Sequence, residues 1–387
     1  MGEVSKIVGG GTPSTKVNEY WNGKINWYTP AEIGQAVYVD KSKKKITEAG
    51  LKKSSAKLLP QGTILFTSRA GIGKTAILLN EASTNQGFQS IVPSKNLDTY
   101  FIFSKTPDLK KYGEITGSGS TFVEVSGKQM EQMKIWIPVL DEQQAIGSLF
   151  KKLDDLIALQ QRKIDTLKLL KRALLQQMFP EKGKDIPRVR FTNYTSYWTE
   201  QKLGNMGNTQ SGIGFPSIEQ GYNSGVPFFK VSDLNNIGNE QIMSNSNNYV
   251  TGKQIKHKNW KTIKILPAVI FAKIGAAIFL NRKRLVFDEF LIDNNLMCYS
   301  FDRNKWDINF GKIIFDKLYL PKYSQVGALP SLNSKDINHI NIKIPLLDEQ
   351  RCIGFLLNNL NCYVMFVTRE SKNLKSLKKA LLQKMFI

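Results

Sequence analysis

The segment from Ser68 to Thr75 carries residues that could bind a nucleotide phosphate. Its sequence, Ser-Arg-Ala-Gly-Ile-Gly-Lys-Thr, follows an apolar run and lies within one residue of the phosphate-loop pattern GxxxxGK[ST]. Ser68 replaces the first glycine of that pattern, and no clear apolar run ending in Asp follows to hold Mg²⁺. The matching segment of the second half, Ala272 to Ala277, lacks the GK[ST] ending. We therefore prefer a glycine-rich turn, and a P-loop-like NTPase stays as an alternative.

Other catalytic patterns are absent from the sequence. It contains no Pro-Pro pair, so the Asn/Asp-Pro-Pro-Tyr/Phe site of base methyltransferases is missing, and Pro107-Asp108 has no matching nuclease (D/E)xK segment. His257 and His339 stand apart, with neither metal-ligand spacing nor a triad. The three cysteines form no CxxC pair and are predicted to be reduced and buried. We predict a chain that is not itself an enzyme and binds no metal or cofactor.

The charge balance points to a polyanionic partner. The 387 residues include 54 Lys and Arg against 32 Asp and Glu, a net charge of +22, which favours nucleic acid. Hydrophobic residues make up 41%, enough to bury the cores of two or three domains. No signal peptide is visible, and the most apolar stretch, Ile265 to Leu280, contains Lys273 and is too short to span a bilayer. We predict a cytoplasmic protein with no membrane partner.

An internal repeat organises the chain. Ile-Pro-Val-Leu-Asp-Glu-Gln at 137–143 recurs as Ile-Pro-Leu-Leu-Asp-Glu-Gln at 344–350, and 21 of the 43 positions from 137 to 179 are identical at an offset of 207. Such self-similarity indicates two copies of one plan, a variable block followed by a repeated segment.

Each repeated segment is predicted to be one long helix. Steps of four and three residues from Ile146 and from Ile353 find apolar residues at eight of ten positions in each copy. The helices are expected over 139–180 and 346–387, and Lys171 and Lys378 break both apolar seams at matching positions. Because an apolar stripe needs a partner, we predict that the helices pair as an antiparallel coiled coil. Packing of each helix on its own domain stays open.

The variable blocks, 1–138 and 181–345, are predicted to be α+β domains of many short strands and few helices. They are rich in Gly, Asn, Ser and aromatic residues, with closely spaced turn signals. The β-type runs lie at 64–66, 100–103, 227–231 and 269–271. The fold class is therefore α+β, with two pseudo-repeated α/β domains joined by two long helices.

An ordered set of motifs resembles the specificity subunit of type I restriction–modification systems. The motifs are Gly10-Gly-Thr-Pro-Ser14, Tyr20-Trp21, Ile25-Asn-Trp27, Asn85-Gln-Gly-Phe88, Gly119-Ser-Thr-Phe122, Arg190-Phe191, Trp198, Lys202-Leu-Gly204 and the repeated Pro-x-Leu-Asp-Glu-Gln. By this resemblance, 1–138 and 181–345 are target recognition domains, and 139–180 and 346–387 are spacer helices. The stretch from Trp198 to Leu203 has no counterpart before Gly2, so the first domain is expected to lack its opening segment.

The resemblance implies a non-catalytic, sequence-specific DNA-binding subunit. Each domain would read one part of a bipartite target in double-stranded DNA, and the helices would set the unread gap. Two DNA methyltransferase subunits would dock on the chain, and a restriction and translocase subunit could join. S-adenosylmethionine and ATP with Mg²⁺ would belong to those partner subunits. A stand-alone basic DNA-binding adaptor is a further alternative.

Candidate DNA contacts follow from residue type and position. Lys and Arg suit phosphates, whereas polar side chains on ordered loops suit base edges. In the first domain the candidates are Thr12, Ser14, Arg69, Lys74, Asn85, Gln86 and Ser120. In the second they are Gln210, Ser211, Lys230, Asp233, Lys273, Asn294 and Asn295. Basic clusters at 41–53, 253–264 and 282–284 are either phosphate contacts or solvated faces.

Overall fold

The computed structural model describes residues 1–69, 71–117, 124–325 and 329–386. Two compact units divide the chain, one formed by Met1–Lys163 with Val367–Ile387 and the other by Ile164–Phe366. Each unit therefore contains one variable block and parts of both repeated segments. Among the described residues, none of the helices has the length and hydropathy that crossing a membrane requires.

The first unit is built on two sheets. Its strands are β1 (Ser5–Gly9), β2 (Trp21–Tyr28), β3 (Tyr38–Val39), β4 (Lys44–Ile46), β5 (Ile64–Phe66), β6 (Thr75–Leu78), β7 (Ala82–Thr84) and β8 (Gln89–Pro93). One sheet has the order β1-β8-β5-β6-β3, and the other has the order β4-β2-β7 with β2 and β7 parallel. Strands β5 and β6 are buried along their whole length, as their continuous apolar runs predict.

Four short helices belong to the first unit. They are α1 (Glu48–Lys52), α2 (Thr99–Ser104), α3 (Thr106–Thr116) and α4 (Gly127–Gln132), and the long helix α5 (Leu140–Gln177) begins in this unit. The strand predicted at 100–103 is wrong, because these residues form α2. The Asp98 side chain caps this helix by accepting a hydrogen bond from the Phe101 amide at 2.7 Å. A short apolar run alone does not distinguish a buried strand from a buried helix.

The second unit repeats this architecture. Its strands are β9 (Thr199–Lys202), β10 (Gly207–Ser211), β11 (Val226–Phe229), β12 (Tyr249–Val250), β13 (Ala268–Ala272), β14 (Lys283–Val286), β15 (Leu291–Ile292), β16 (Leu296–Phe301) and β17 (Asn341–Ile344). The order β10-β16-β13-β14 matches β1-β8-β5-β6, and β12-β11-β15 matches β4-β2-β7, again with one parallel pair. Strands β9 and β17 form a further antiparallel pair. The predicted pseudo-repeated α+β fold is confirmed.

The remaining helices complete the second unit. They are α6 (Leu203–Met206), α7 (Gly252–His257), α8 (Ile308–Lys317), α9 (Ser334–Asn338) and the start of the long helix α10 (Leu347–Met385). Single turns of 3₁₀ helix lie at Asn18–Tyr20, Pro30–Glu32, Ser217–Glu219, Val231–Asn235, Ala276–Leu280 and Leu320–Tyr323.

The two long helices pack against each other within each unit. In the first unit the end of α10 meets the start of α5, where the Phe386 and Phe150 rings stack at 5.7 Å. In the second unit the end of α5 meets the start of α10, and Leu174 and Leu175 join the core that contains Ile353. The end of one helix thus meets the start of the other, so the pairing is antiparallel, as predicted.

The lysines that interrupt the apolar seams connect the two helices. Lys171 on α5 donates to Asn361 Oδ1 on α10 at 2.8 Å. At the position that matches Lys171, Lys378 on α10 donates to Asp154 on α5, which itself matches Asn361. The lysines that interrupt the apolar seams therefore form a polar contact between the two helices, one in each unit.

The repeated Asp-Glu-Gln motif fastens each helix to its variable block. Gln143 is 2% exposed, accepts a hydrogen bond from the Asp98 amide at 3.0 Å, and donates to the carbonyl oxygens of Asn96 and Pro138. Gln350 repeats these three bonds in the second unit, with the Asp307 amide and the carbonyls of Lys305 and Pro345. The docking geometry explains why the motif recurs in both halves.

Candidate functional site

Two polar loops of the first unit lie side by side and form a first loop pair, residues 10–14 and 85–87. The Gly11 amide donates to the Thr84 carbonyl at 2.8 Å, and the Thr12 hydroxyl donates to the Gln86 side chain. A Cβ on Gly10 would lie 1.9 Å from the Asn85 carbonyl oxygen, so glycine is required for this approach. The structure therefore brings the candidates Thr12, Asn85 and Gln86 together.

The candidate Asn85 also organises its own turn. Its Oδ1 accepts a hydrogen bond from the Gly87 amide at 2.9 Å, which is an Asx turn. Gln86 is exposed at the tip, and Ser14 is exposed at the end of the neighbouring loop, where its carbonyl accepts from the Trp21 indole. Both side chains are therefore accessible to solvent or a ligand, while Gln86 also accepts the hydrogen bond from Thr12.

The loop that follows β5 contacts the first loop pair at one of its two ends. The Ser68 amide donates to the Gly87 carbonyl at 2.9 Å, which places Arg69 next to the turn, where its guanidinium lies 3.8 Å from Glu124. Lys74 is exposed at the other end of the loop and packs over Gly34 beside a separate cavity of about 330 Å³. Ser120 lies outside the described residues.

The phosphate-loop alternative does not fit this geometry. In a phosphate-binding loop, the GK[ST] residues open a helix whose amides face the phosphates. Here Lys74 and Thr75 lead into β6, and the Thr67 side chain closes the loop on itself by accepting from the Lys74 amide and donating to the Gly71 carbonyl. The alternative of a P-loop-like NTPase is therefore wrong.

A second loop pair, residues 212–215 and 293–295, occupies the equivalent place in the second unit. A Cβ on Gly212 would lie 1.8 Å from the Asp293 carbonyl oxygen, and the Ile213 amide donates to the Ile292 carbonyl at 2.9 Å. The Lys273 amide donates to the Asn295 carbonyl at 2.7 Å, as Ser68 does to Gly87. The candidates Lys273, Asn294 and Asn295 are thus gathered at one turn, and Gln210 and Ser211 end the adjoining strand β10.

Asp293 is a residue of this site that the sequence analysis missed. It matches Asn85, because its Oδ1 accepts from the amide two residues on, at Asn295. Burial raises the pKa of the Asp293 carboxyl, although hydrogen bonds from Asn295 and the nearby Lys230 oppose that rise. The Asx-turn pattern of two strands joined by Asp-Asn-Asn was the signal available in the sequence.

The candidates Lys230 and Asp233 lie beside the second loop pair and shape its surroundings. Asp233 is fully buried and accepts hydrogen bonds from the amides of Lys230 and Asn247 at 2.7 and 3.0 Å. The Lys230 ammonium donates to Gln220 Oε1 at 3.0 Å. Asp233 thus holds a polar loop in place, and Lys230 remains half-buried at its edge.

Comparison with known sequences identifies the family. A sequence profile described as the type I restriction modification DNA specificity domain matches residues 1–169 and 195–375. The chain belongs to this family. It is similar to the type I restriction enzyme MjaIX specificity subunit of Methanocaldococcus jannaschii, with 30% identity over 76% of this chain and 69% of that protein. It is also similar to the EcoR124I/EcoR124II specificity subunit of Escherichia coli, with 32% identity over 40% of each chain.

A solved structure shares the fold. The type I restriction–modification S subunit from M. genitalium superimposes with a TM-score of 0.60 at 14% identity, over all of this chain and 94% of that one. The chain therefore shares the fold of that S subunit, in addition to the sequence pattern of the family.

Specificity subunits are the non-catalytic components of type I restriction–modification systems. Within the ranges that the structure describes, no group of three His, Cys, Asp or Glu side chains could hold a metal ion. Cys298 is buried, as predicted, but Cys362 is exposed on α10, so the prediction of three buried cysteines is wrong.

One basic cluster of this specificity subunit faces inward. Lys283 is 2% exposed and donates to the Leu318 carbonyl at 2.6 Å, and Arg284 donates to the carbonyls of Lys283 and Leu234. Neither interpretation of Arg282-Lys-Arg284, as phosphate contacts or as a solvated face, therefore fits the buried Lys283. Strand β14 pairs with β13, and the alternation of its side chains turns Lys283 toward the core side.

The buried Lys283 predicts a pH-dependent stability. Burial lowers the pKa of its ammonium to about 8. Between this pH and the ordinary lysine pKa, this side chain holds more protons in the unfolded chain than in the folded one, so the contribution of Lys283 to the free energy of unfolding rises with pH, by up to about 3 kcal/mol. Urea unfolding between pH 7.5 and 10.5 measures the rise. We expect Lys283→Met to reduce it, and Lys253→Met, at an exposed lysine, to keep the wild-type slope.

Proposed function

We propose that this specificity subunit reads a bipartite target in double-stranded DNA, one part with each variable block. The observation that supports it is the recurrence of one loop pair, held by the same backbone bonds and the same close glycine, in both units. The sequences of the two loop pairs differ, whereas their scaffolds match. Equivalent scaffolds with different polar tips suit two readers of different base sequences.

Within this proposal the polar candidates supply base contacts and the basic ones supply phosphate contacts. The base readers would be Thr12, Ser14, Asn85, Gln86 and Ser120 in the first domain, and Gln210, Ser211, Asn294 and Asn295 in the second. Asp233 was a candidate DNA contact, but it is fully buried and would position its loop without touching a base. Arg69, Lys74, Lys230 and Lys273 would hold phosphates. Since the chain carries a net charge of +22, association with DNA is electrostatically favoured.

We further propose that the subunit docks two DNA methyltransferase subunits, and that a restriction and translocase subunit can join the complex. Two similar halves offer two similar docking surfaces, which suits two identical partners. S-adenosylmethionine and ATP with Mg²⁺ would be bound by those partners. Copurification of the chain with a methyltransferase, and the mass of the complex, tests the partner and its number.

Exchange of one recognition block tests the bipartite reading. We expect that replacing residues 207–301 by the equivalent block of a relative changes one half of the methylated sequence and leaves the other half unchanged. The reason is that each loop pair is built from one block only. Sequencing of methylated sites in DNA gives the readout, and a change in both halves would contradict separate reading.

Shortening both long helices tests whether they set the gap. Each helix contributes residues to both units. Deletion of the matched heptads 156–162 and 363–369 keeps the Lys171–Asn361 and Lys378–Asp154 contacts in register. Seven residues of helix span about 10 Å, so we expect the unread gap to shrink by about three base pairs. The half-sites should stay the same, and an unchanged gap would remove the spacing role.

A further inference from the structure

The first unit fills one place beside its long helices with three aromatic rings. The ring centroids of Tyr38 and Tyr100 lie 6.3 Å apart, and those of Tyr100 and Phe103 lie 5.4 Å apart. The Tyr100 hydroxyl donates to Asp154 Oδ2 on α5 at 2.9 Å, and Lys378 on α10 donates to the other oxygen of that carboxylate. The rings and the carboxylate therefore join the variable block to both helices here.

The second unit carries no aromatic ring at the three matching positions. Helix α8 matches α2, because each begins after an aspartate cap that accepts a hydrogen bond from the amide three residues on. The segment that pairs in parallel with β14 likewise matches β3, which pairs in parallel with β6. Counted from these contacts, the positions of Tyr38, Tyr100 and Phe103 are held by Ile242, Asn309 and Lys312.

An open cavity of about 400 Å³, lined by all three replacing residues, lies at this place in the second unit. The buried side chains of Leu285 and Leu357 form part of an apolar wall. Ile242, Phe287 and Met365 also line the cavity and are 45%, 45% and 54% exposed. The volume falls in the range of small-molecule pockets, about 300–1,000 Å³. Every lining residue belongs to the second unit.

The polar groups of this cavity leave an excess of positive charge. Its lining residues include Lys171, Lys312 and Lys317 but one carboxylate, Asp316, which the Lys312 ammonium holds at 2.6 and 2.7 Å. Lys171 donates to the neutral Asn361, and no ion pair reaches it in the described part of the chain. Burial lowers the pKa of Lys171, Asp316 opposes that change, and Lys312 adds to it. A bound anion would supply the counterion that Lys171 lacks.

We propose that this cavity of the second unit binds a small aromatic acid, a molecule with one ring or two fused rings and one carboxylate. The ring takes the space that Tyr100 and Phe103 fill in the first unit, and packs against the apolar wall. The carboxylate pairs with the Lys171 ammonium, which has two N–H donors besides the one given to Asn361. Binding thus buries aromatic surface and neutralises part of the excess positive charge.

Naphthoate, an aromatic acid of two fused rings, tests the proposal on the full chain. We expect saturable binding by isothermal titration calorimetry, weakened about tenfold by Lys171→Gln or by the use of uncharged naphthamide as the ligand. Arg172→Gln removes the same charge at the exposed neighbouring residue and should alter binding by less than about twofold. Asn309→Tyr returns the ring of the first unit to this place and should abolish binding, with the melting temperature as the check that the chain is folded.

Alkylation of cysteine provides a second measurement that needs no substitution. Cys362 is exposed and lines the cavity, whereas Cys352 is not among the lining residues. At a naphthoate concentration about tenfold above Kd, we expect alkylation of Cys362 to slow about tenfold and that of Cys352 to stay unchanged, as measured by mass spectrometry. Binding that Asn309→Tyr abolishes, together with protection of Cys362, supports the site. Absence of binding, or equal binding by the wild type and Asn309→Tyr, overturns it.

Discussion

Replacement of Glu349 by alanine is expected to lower the free energy of unfolding of the second unit by about 3–5 kcal/mol. The carboxylate is 1% exposed and holds the Arg190 guanidinium through two bonds of 2.7 Å. This pairing raises the pKa of Arg190. The guanidinium also stays charged when its partner is removed, because an arginine side chain is not deprotonated in proteins. A buried charge without a counterion is the source of the loss.

The first unit supplies the matched control for this change. Glu142 occupies the same position of the repeat but is exposed and unpaired among the described residues, so Glu142→Ala should change stability by no more than about 0.5 kcal/mol. Urea unfolding followed by the fluorescence of the tryptophans gives both values. Equal losses from the two variants would contradict the role of the ion pair. The double variant Arg190→Met with Glu349→Leu should recover much of the loss, since it removes both charges.

Replacement of Gln143 by leucine is expected to destabilise the first unit by about 3 kcal/mol. Leucine is close to glutamine in size but makes none of its three hydrogen bonds, so the Asp98 amide and two carbonyl oxygens lose a buried partner. The start of α5 should then loosen from the variable block. Chemical denaturation measures the loss, and hydrogen exchange at the Asp98 amide reports the local opening.

Gln144 provides the control within the same turn of helix. It is exposed, so Gln144→Leu should leave stability within about 0.5 kcal/mol of the wild type. Gln350→Leu should reproduce the loss in the second unit, because it makes the same set of bonds there. A loss at Gln144 equal to that at Gln143 would show that the amide contacts are not the cause.

The long helices and their pairing were predictable because their signal extends over many residues. Apolar positions recur from Ile146 to Met178, and no single residue decides the pattern. The run at 100–103 was assigned to a strand and forms α2, since its structure depends on the cap from Asp98 and on burial against a sheet. The apolar pattern of four residues carries no information about the cap or about the burial against the sheet.

The candidate site was predictable in its location but less so in its individual residues. Gly10 belongs to one sequence motif and Asn85 and Gln86 to another, and the two motifs lie together in the structure. Asp293 was missed because its role is the turn it closes, which depends on the residue two positions on. Lys283 belongs to a run that the sequence left open between phosphate contacts and a solvated face, whereas the register of β14 buries it. A run of lysines and arginines in the sequence gives only the composition of a segment. The register of the strand determines which of its charged side chains reach solvent.

The two lysine contacts between the long helices are chemically unequal, although they match in position. Lys378 meets a carboxylate at Asp154, whereas Lys171 meets the neutral amide of Asn361. Added electrolyte screens the attraction between two full charges far more than that between a charge and a dipole. High ionic strength is therefore expected to weaken the lysine contact of the first unit more than that of the second.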